Sequence, residues 1–375
     1  MKFIGLLSIS CILLSCALGE EPENKRIKRP TFIVIVAPFS GSLAEYGRSM
    51  LRGGKMRIAE FNDQNFLNGR SVKLMALDDK GDPQEASRLA ENIVGYGSIF
   101  GVIGHLTTGC TLSAIPTYNA AKSVLISPVA TGDELQDVQS PYAFRTILSE
   151  SQQAISLADY IRQRVDTKDV VLMWEDSPLG NRLKNAFHSR SNKIGLKVEA
   201  IRVKTDSFSD LHESIDKAIK IRPGAIFFAG GAMLAALIVR KWPEKIERPL
   251  MLGTYRLISE EFMELAGKQG KGILAAHPCI WKPDFNKGAQ TKGRYEKVFK
   301  YHMDWLAVQT FDAVGLLLWA VSKPGVDSTS IRNALNECRS KDSSFSGLAG
   351  PIYFDANGSL AREVNVAEYT SNGWK

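Results

Sequence analysis

Past its first thirty residues the chain begins with an unbroken β-branched and apolar run, Thr31-Phe32-Ile33-Val34-Ile35-Val36-Ala37. A run without alternation predicts a strand covered on both faces, as in a parallel sheet. After a turn-rich stretch from Pro38 to Tyr46, the residues Met50, Ile58, Ala59 and Phe61 recur near helical spacing until Asn62, Asn65 and Asn68-Gly69 end the helix. A second strand is predicted over 72–77. Asp82-Pro83-Gln84-Glu85 then sets an acid at the N-cap, a Pro at the first helical position and a Glu at the third, which predicts a capped helix reaching Val94. Strands over 99–103 and 124–127 flank a helix predicted over 111–121.

A second set repeats this plan. Helices over 152–164, 180–193, 210–221, 232–242 and 260–266 alternate with strands over 170–174, 197–203, 225–228, 249–252 and 272–276. Three helical segments follow, near 288–302, 306–322 and 331–339, and the tail ends in strands over 352–354 and 364–369. Strand and helix in strict turn, with short links, imply right-handed βαβ units. The expected fold class is therefore α/β, with two doubly wound parallel-sheet lobes joined by a multi-crossover hinge. Lobe 1 is expected to comprise 31–147 plus 279–353, and lobe 2 to comprise 148–278 plus 354–375.

Composition supports two cores: 375 residues, 44% of them hydrophobic and 23% charged. The first thirty residues stand apart. Met1-Lys2 precede an apolar run from Phe3 to Leu14, which has secretory length and is too short to span a bilayer. It ends Leu13-Leu14-Ser15-Cys16, which resembles a bacterial lipobox. Residues 1–15 are then a signal peptide and Cys16 the lipidated first residue of the mature chain; simple cleavage and an uncleaved anchor are the alternatives. Cys11 fits less well, because Ser8 stands where a Leu is preferred. Residues 16–30, rich in Glu, Lys and Arg without an apolar face, read as a solvated tether. No later apolar run reaches eighteen residues, so the membrane contact expected is through the lipid anchor alone, in the periplasm or at the cell surface.

The net charge of +7 does not point to nucleic acid. Arg48, Arg52, Lys55 and Arg57 on one helix, and Lys217, Lys220 and Arg222 on another, are mixed with acids and lack interleaved aromatics, which describes a solvated surface. Cys110, Cys279 and Cys338 are odd in number and lack metal-type spacing, so they read as small buried residues, with one unassigned bridge left open. The five histidines have no zinc spacing. Pro38-Phe39-Ser40-Gly41-Ser42 stands where a dinucleotide fingerprint would follow the first strand, and no phosphate loop or Gly-x-Ser-x-Gly elbow occurs. No catalytic residue, metal or cofactor is expected.

Ligands of open α/β sheets bind beyond the carboxyl ends of the strands. The loop Gly104-His105-Leu106-Thr107-Thr108-Gly109-Cys110-Thr111 opens a helix there. A helix N-terminus offers unpaired N–H groups and partial positive charge, to which the hydroxyls of Thr107 and Thr108 add donors, making a seat for a carboxylate. The next strand ends in Ser127-Pro128-Val129-Ala130-Thr131, a second hydroxyl loop on the same edge. Either loop alone is also what a capped helix looks like; two side by side point to a site.

The ordered series Pro38-Phe39-Ser40-Gly41 with Tyr46-Gly47, Asp78-Asp79 with Asp82-Pro83, Gly104-His105, and Ser127-Pro128 with Ala130-Thr131 resembles the leucine/isoleucine/valine-binding protein family, periplasmic binding fold type I. The likeness extends more loosely through Gly230-Gly231, Phe311-Asp312-Ala313 and Gly350-Pro351-Ile352 to Phe354-Asp355. It implies that Thr108, Thr131 and the backbone of Val129 and Ala130 hold a ligand carboxylate, and that Tyr46 touches the ligand side chain. The second half departs from the pattern: Leu179 stands where the family often has Tyr, and Tyr255 stands where an acid takes the ligand's ammonium. Either another acid such as Asp176 takes that role, or the ligand is not an ordinary α-amino acid. Asp78, Asp79 and His105 are expected to serve turns, caps and loop packing. The resemblance implies an extracytoplasmic solute-binding lipoprotein of an ABC importer, closing about its hinge on a small carboxylate-bearing solute and docking on an ABC permease. The alternatives are a sensing module, which in receptors usually precedes a membrane helix whereas this chain stops at Lys375, and an α/β enzyme.

Overall fold

A computed structural model of the protein describes residues 31–64, 71–97, 99–166, 169–203, 208–279, 286–371 and 373–375. Residues 1–30, which hold the expected signal peptide, Cys16 and the expected tether, lie outside the described residues.

The first lobe begins β1 (Thr31–Ala37), α1 (Ala44–Asp63), β2 (Val72–Asp78), α2 (Pro83–Val94), β3 (Ile99–Gly104), α3 (Thr108–Ala120), β4 (Leu125–Ser127), α4 (Glu134–Asp137) and β5 (Ala143–Arg145). Its sheet runs β2-β1-β3-β4-β5, every pair parallel. The unbroken apolar run of β1 has a direct cause. Ile33 and Ile35 enter one core with residues of the C-terminal helices, while Val34 and Val36 enter the opposite core with Leu89, Ile115 and Tyr118. Each such side chain, fully buried, contributes about 1.5–3 kcal/mol.

The second lobe follows with α5 (Glu150–Arg164), β6 (Asp169–Glu175), α6 (Pro178–Ile194), β7 (Lys197–Val203), α7 (Phe208–Ile221), β8 (Ala225–Ala229), α8 (Ala232–Lys241), β9 (Leu250–Gly253), α9 (Glu260–Ala266) and β10 (Leu274–His277). The order β7-β6-β8-β9-β10 repeats that of the first sheet. Val170 and Leu172 pack on one face with Leu157 and Phe187, Val171 and Met173 on the other with Ile215 and Trp242.

The chain then returns. Helices α10 (Asn286–Phe299), α11 (Trp305–Val321) and α12 (Ser328–Glu337), with the hairpin β11 (Phe345–Gly347) and β12 (Gly350–Ile352), complete the first lobe. All of α11 is buried except Trp305 and Trp319, because it is sandwiched between the sheet and its neighbouring helices. Finally β13 (Asn365–Thr370) pairs antiparallel with β10, and β14 (Gly373–Trp374) pairs antiparallel with β13.

Three differences from the sequence expectation have physical causes. Helix α3 starts at Thr108 rather than 111, because the Thr107 hydroxyl accepts the Cys110 N–H at 3.2 Å and caps it there. The short strand β5 was not expected; its three residues carry too little pattern to show alone. The last return was expected at 354, yet Phe354 and Leu360 are buried in the first lobe's core and Ser359 bridges to Arg145. The first lobe therefore keeps the chain through Leu360, and Val364 packs against the cores of both lobes.

The three crossings lie together. Ile147 and Leu148, His277 and Pro278, and Arg362 and Val364 line one small cavity between the lobes. Arg362 donates to Pro278 O at 2.8 Å and Gln152 to Leu360 O at 3.1 Å, lacing the crossings to one another.

Candidate ligand-binding cleft

In both sheets the order places a switch point beside the first strand of the lobe, and the loops beyond the carboxyl ends of the strands meet between the lobes. Two of the first-lobe loops are locked to one another. Thr108 Oγ1 accepts the Gly132 N–H at 3.0 Å, which leaves its hydroxyl hydrogen available to an anion. A Cβ on Gly132 would fall 2.4 Å from Thr108 Cγ2, so only glycine allows this approach. Thr107 caps α3 and Thr108 opens it, so both stand at the positive end of the helix. Thr131 is buried and Ala130 almost wholly so. The Val129 side chain turns into a cluster with Ala37, Met50 and Leu306, against which Phe39, Leu106 and Trp305 pack half-buried.

Second-lobe residues reach these loops. Tyr255 follows β9 in a 3-10 turn and is positioned by its own N–H, which Gln153 Oε1 accepts at 3.1 Å. Burial pushes its phenol up to about 12, opposed by hydrogen bonding to the side chain of Thr131, by the charge of Arg256 and by hydrogen bonding to Gln153. The phenol is thus protonated at neutral pH and able to donate. Its ring lies 5.9 Å from that of Trp305, tilted by 50°, so aromatic faces from both lobes border the same space.

Charge in the cleft centres on Glu150, only 3% exposed. Its oxygens are taken by Arg256 at 2.6 Å and Arg182 at 3.0 Å. Arg182 also reaches across to Glu134 at 3.2 Å and Asp133 at 3.8 Å in the first lobe. Arg145, likewise buried, donates to Gly132 O at 2.8 Å and to Ser359 Oγ at 3.1 Å, tying the hydroxyl loop to the last crossing.

Beneath the loops, His105 Nδ1 meets Asp79 Oδ2 at 2.7 Å, both side chains fully buried. Asp79 also accepts the Gly81 N–H at 2.9 Å, and Asp78 accepts those of Phe39 and Lys80 at 2.8 and 2.9 Å. Burial acts to raise the Asp78 carboxyl, but hydrogen bonds from Ser40, Phe39 and Lys80 outweigh it and hold it below the usual range. These acids organise loops, as turn and cap residues do.

The remaining expected site residues are not all drawn in. Tyr46 stands 52% exposed on the first turn of α1. Leu179 packs toward the second-lobe core. Asp176 is turned to the neighbouring strand, where it pairs with Arg202 and accepts from Asn181 at 3.3 Å. Sequence reasoning missed Glu150, Gln153, Arg182 and Trp305, which adjoin the hydroxyl loops only through the tertiary fold. Cys110, Cys279 and Cys338 are buried and unbridged, and burial pushes the first two thiols up to about 11 and about 12. Among the described residues no His, Cys, Asp and Glu cluster suits a metal, and no helix is long and apolar enough to cross a membrane.

Comparison with known proteins decides the lineage. The profile of the periplasmic binding protein family matches residues 30–374. The chain belongs to this family. A Leu/Ile/Val-binding protein homolog of Brucella melitensis is 24% identical over 309 residues, covering 81% of this chain and 83% of its own. The structure of an ABC transporter substrate-binding protein from Desulfitobacterium hafniense in complex with Leu superposes with a TM-score of 0.78 at 20% identity, covering 92% of this chain and 99% of that one. A solute-binding protein of an ABC transporter from R. palustris in complex with benzoate gives 0.69 at 18% identity, covering 92% and 95%. Periplasmic binding proteins of this kind bind solutes outside the cytoplasm and are not enzymes, and the α/β enzyme alternative falls with that.

Proposed function

We propose that this periplasmic binding protein captures a small carboxylate-bearing solute between its lobes, closes about the three-strand hinge, and delivers the solute to an ABC permease, held at the membrane through lipidated Cys16. The observation that carries the reading is the pair Thr108 and Thr131. They sit on adjacent strand-end loops locked through Gly132, with the Tyr255 phenol of the second lobe close enough to Thr131 to feel its hydroxyl. Hydroxyl hydrogens, a helix N-terminus and a protonated phenol converge where a carboxylate would be gripped from both sides. The D. hafniense and R. palustris proteins hold leucine and benzoate, which share a carboxylate. Closure follows if the solute binds the closed arrangement more tightly than the open one, since it then shifts the population toward it.

The test is calorimetry on whichever carboxylate most raises the melting temperature in a screen of amino acids, amides and aromatic acids. Replacing Thr108 and Thr131 together by Ala is expected to weaken binding by about 1–3 kcal/mol, as for lost hydrogen bonds to a charged group. Unchanged affinity would remove the carboxylate seat.

A further inference from the structure

A solute with a buried ammonium needs a carboxylate whose charge is not already spent, since an unpaired buried cation is strongly disfavoured. The acids at the cleft hold donors of their own, arginines for Glu150, Asp133, Glu134 and Asp176 and neutral groups for Glu175. Glu150 gives one oxygen to Arg256 and the other to Arg182. Asp133 accepts the N–H and hydroxyl of Ser151 at 3.1 and 2.7 Å, and Glu134 pairs with Arg182 at 3.2 Å. Glu175 accepts the Gly231 N–H at 3.3 Å and lies 3.4 Å from the Ser177 hydroxyl. Asp176 faces Arg202 with its side chain 45% exposed. Among the described residues, the loops around Thr108 and Thr131 offer no carboxylate that lacks a donor of its own.

What the cleft does offer is donors and flat apolar surface. The Thr108 and Thr131 hydroxyls and the Tyr255 phenol can all donate, and Tyr255 and Trp305 bring aromatic rings from opposite lobes to within 5.9 Å. Phe39 and Leu106 extend the apolar wall beside Trp305. We propose that the solute is a carboxylate without an ammonium group and with a planar apolar body, the chemistry of an aryl or arylalkyl carboxylic acid. The inference rests on the solute-binding reading above and narrows it. In this assignment the Tyr255 hydroxyl joins Thr131 in donating to the carboxylate, and the body of the solute lies along the Trp305 ring.

The experiment compares matched pairs on the full chain by calorimetry: 3-phenylpropanoate against L-phenylalanine, 4-methylpentanoate against L-leucine, and benzoate against benzamide. Each amino acid differs from its partner only by the ammonium, and benzamide differs from benzoate by the loss of charge. The deaminated acids are expected to bind at least tenfold more tightly than the amino acids, the aryl pair more tightly than the aliphatic one, and benzamide not at all. Tyr255→Glu is expected to reverse the preference within each amino-acid pair, with the melting temperature of the unliganded variant confirming its fold. Equal or tighter binding of the amino acids overturns the inference and leaves the carboxylate seat standing. Binding of benzamide as tightly as benzoate overturns the seat as well, and so does failure of every acid in the set to bind at millimolar concentration.

Discussion

Arg182 of the second lobe pairs with Glu134 of the first at 3.2 Å, a contact that exists only while the lobes are together. Both side chains are partly exposed, at 34% and 47%, so the pair is worth no more than about 1 kcal/mol. Glu134→Gln is the cleaner probe, because removing Arg182 would also disturb Glu150. The closed population is expected to fall by about threefold, read as the interlobe distance between a pair of fluorescent dyes. An unchanged distance distribution would show that the pair plays no part in closure.

Gly132→Ala would drive a methyl group against Thr108. Gly132 is buried, but the added methyl meets the side chains of Thr108 and Glu134 rather than a core element, so the expected result is a separation of effects: melting temperature lowered by only a few degrees, and carboxylate affinity reduced about tenfold, the size of one lost charge-assisted hydrogen bond. Calorimetry and thermal melting on the same sample check it. Loss of stability without loss of affinity would mean that Thr108 does not touch the solute.

His105 and Asp79 should behave as a structural pair. Their side chains are fully buried, so His105→Ala leaves Asp79 with little beyond the Gly81 N–H and is expected to cost about 3 kcal/mol in urea unfolding. A variant with unchanged unfolding midpoint would contradict the role of this pair in pinning the loops.

The acid limb of stability carries a signature of the hinge. Burial pulls His277 from its ordinary 6.5 to about 4, and its Nδ1 accepts the Cys279 N–H at 3.0 Å, a bond that protonation at that nitrogen breaks. Between these pH values the unfolded chain binds the proton and the folded one does not. The contribution of His277 is therefore fully present above pH 6.5 and lost as pH falls toward 4, to a ceiling of about 3 kcal/mol. Asp312, raised by burial from 3.8 to about 6, has the opposite dependence over all of that window below about pH 6. The comparison must be with His277→Gln, in which the Asp312 effect cancels. The variant is expected to lose less stability than the wild type between pH 7 and 4, and parallel pH profiles would refute the assignment.

Much of the fold was legible because each lobe repeats one strand–helix rhythm and because both faces of its central strands are buried. Helix α9 falls on the expected residues, and the Asp82 cap forms as read, accepting the Glu85 N–H at 2.8 Å. The hydroxyl loops were visible as loops after strands. What was not legible depends on contacts distant in sequence. Trp305 reads as one more apolar residue of a helix until Tyr255 is set beside it, and Asp176 reads as an available acid until Arg202 of the adjacent strand claims it. The last crossing was misplaced because Phe354 and Leu360 look no different from strand residues of either lobe; only packing against the first core assigns them.

The late arrival of α11 has a consequence for how the chain becomes folded. The face of the first sheet bearing Ile33, Ile35 and Ile103 is sealed by a helix that begins about 160 residues after β5 ends, whereas the strands from β6 to β10 follow one another without interruption by the other lobe. Loop closure over that span is slow compared with neighbouring βαβ contacts. During refolding, amide protons of β6 and β8 should become protected from exchange before those of β1 and β3. A nascent chain would keep half of its first domain open until nearly all of it had been made, the condition in which a polypeptide can still be threaded through a translocation channel.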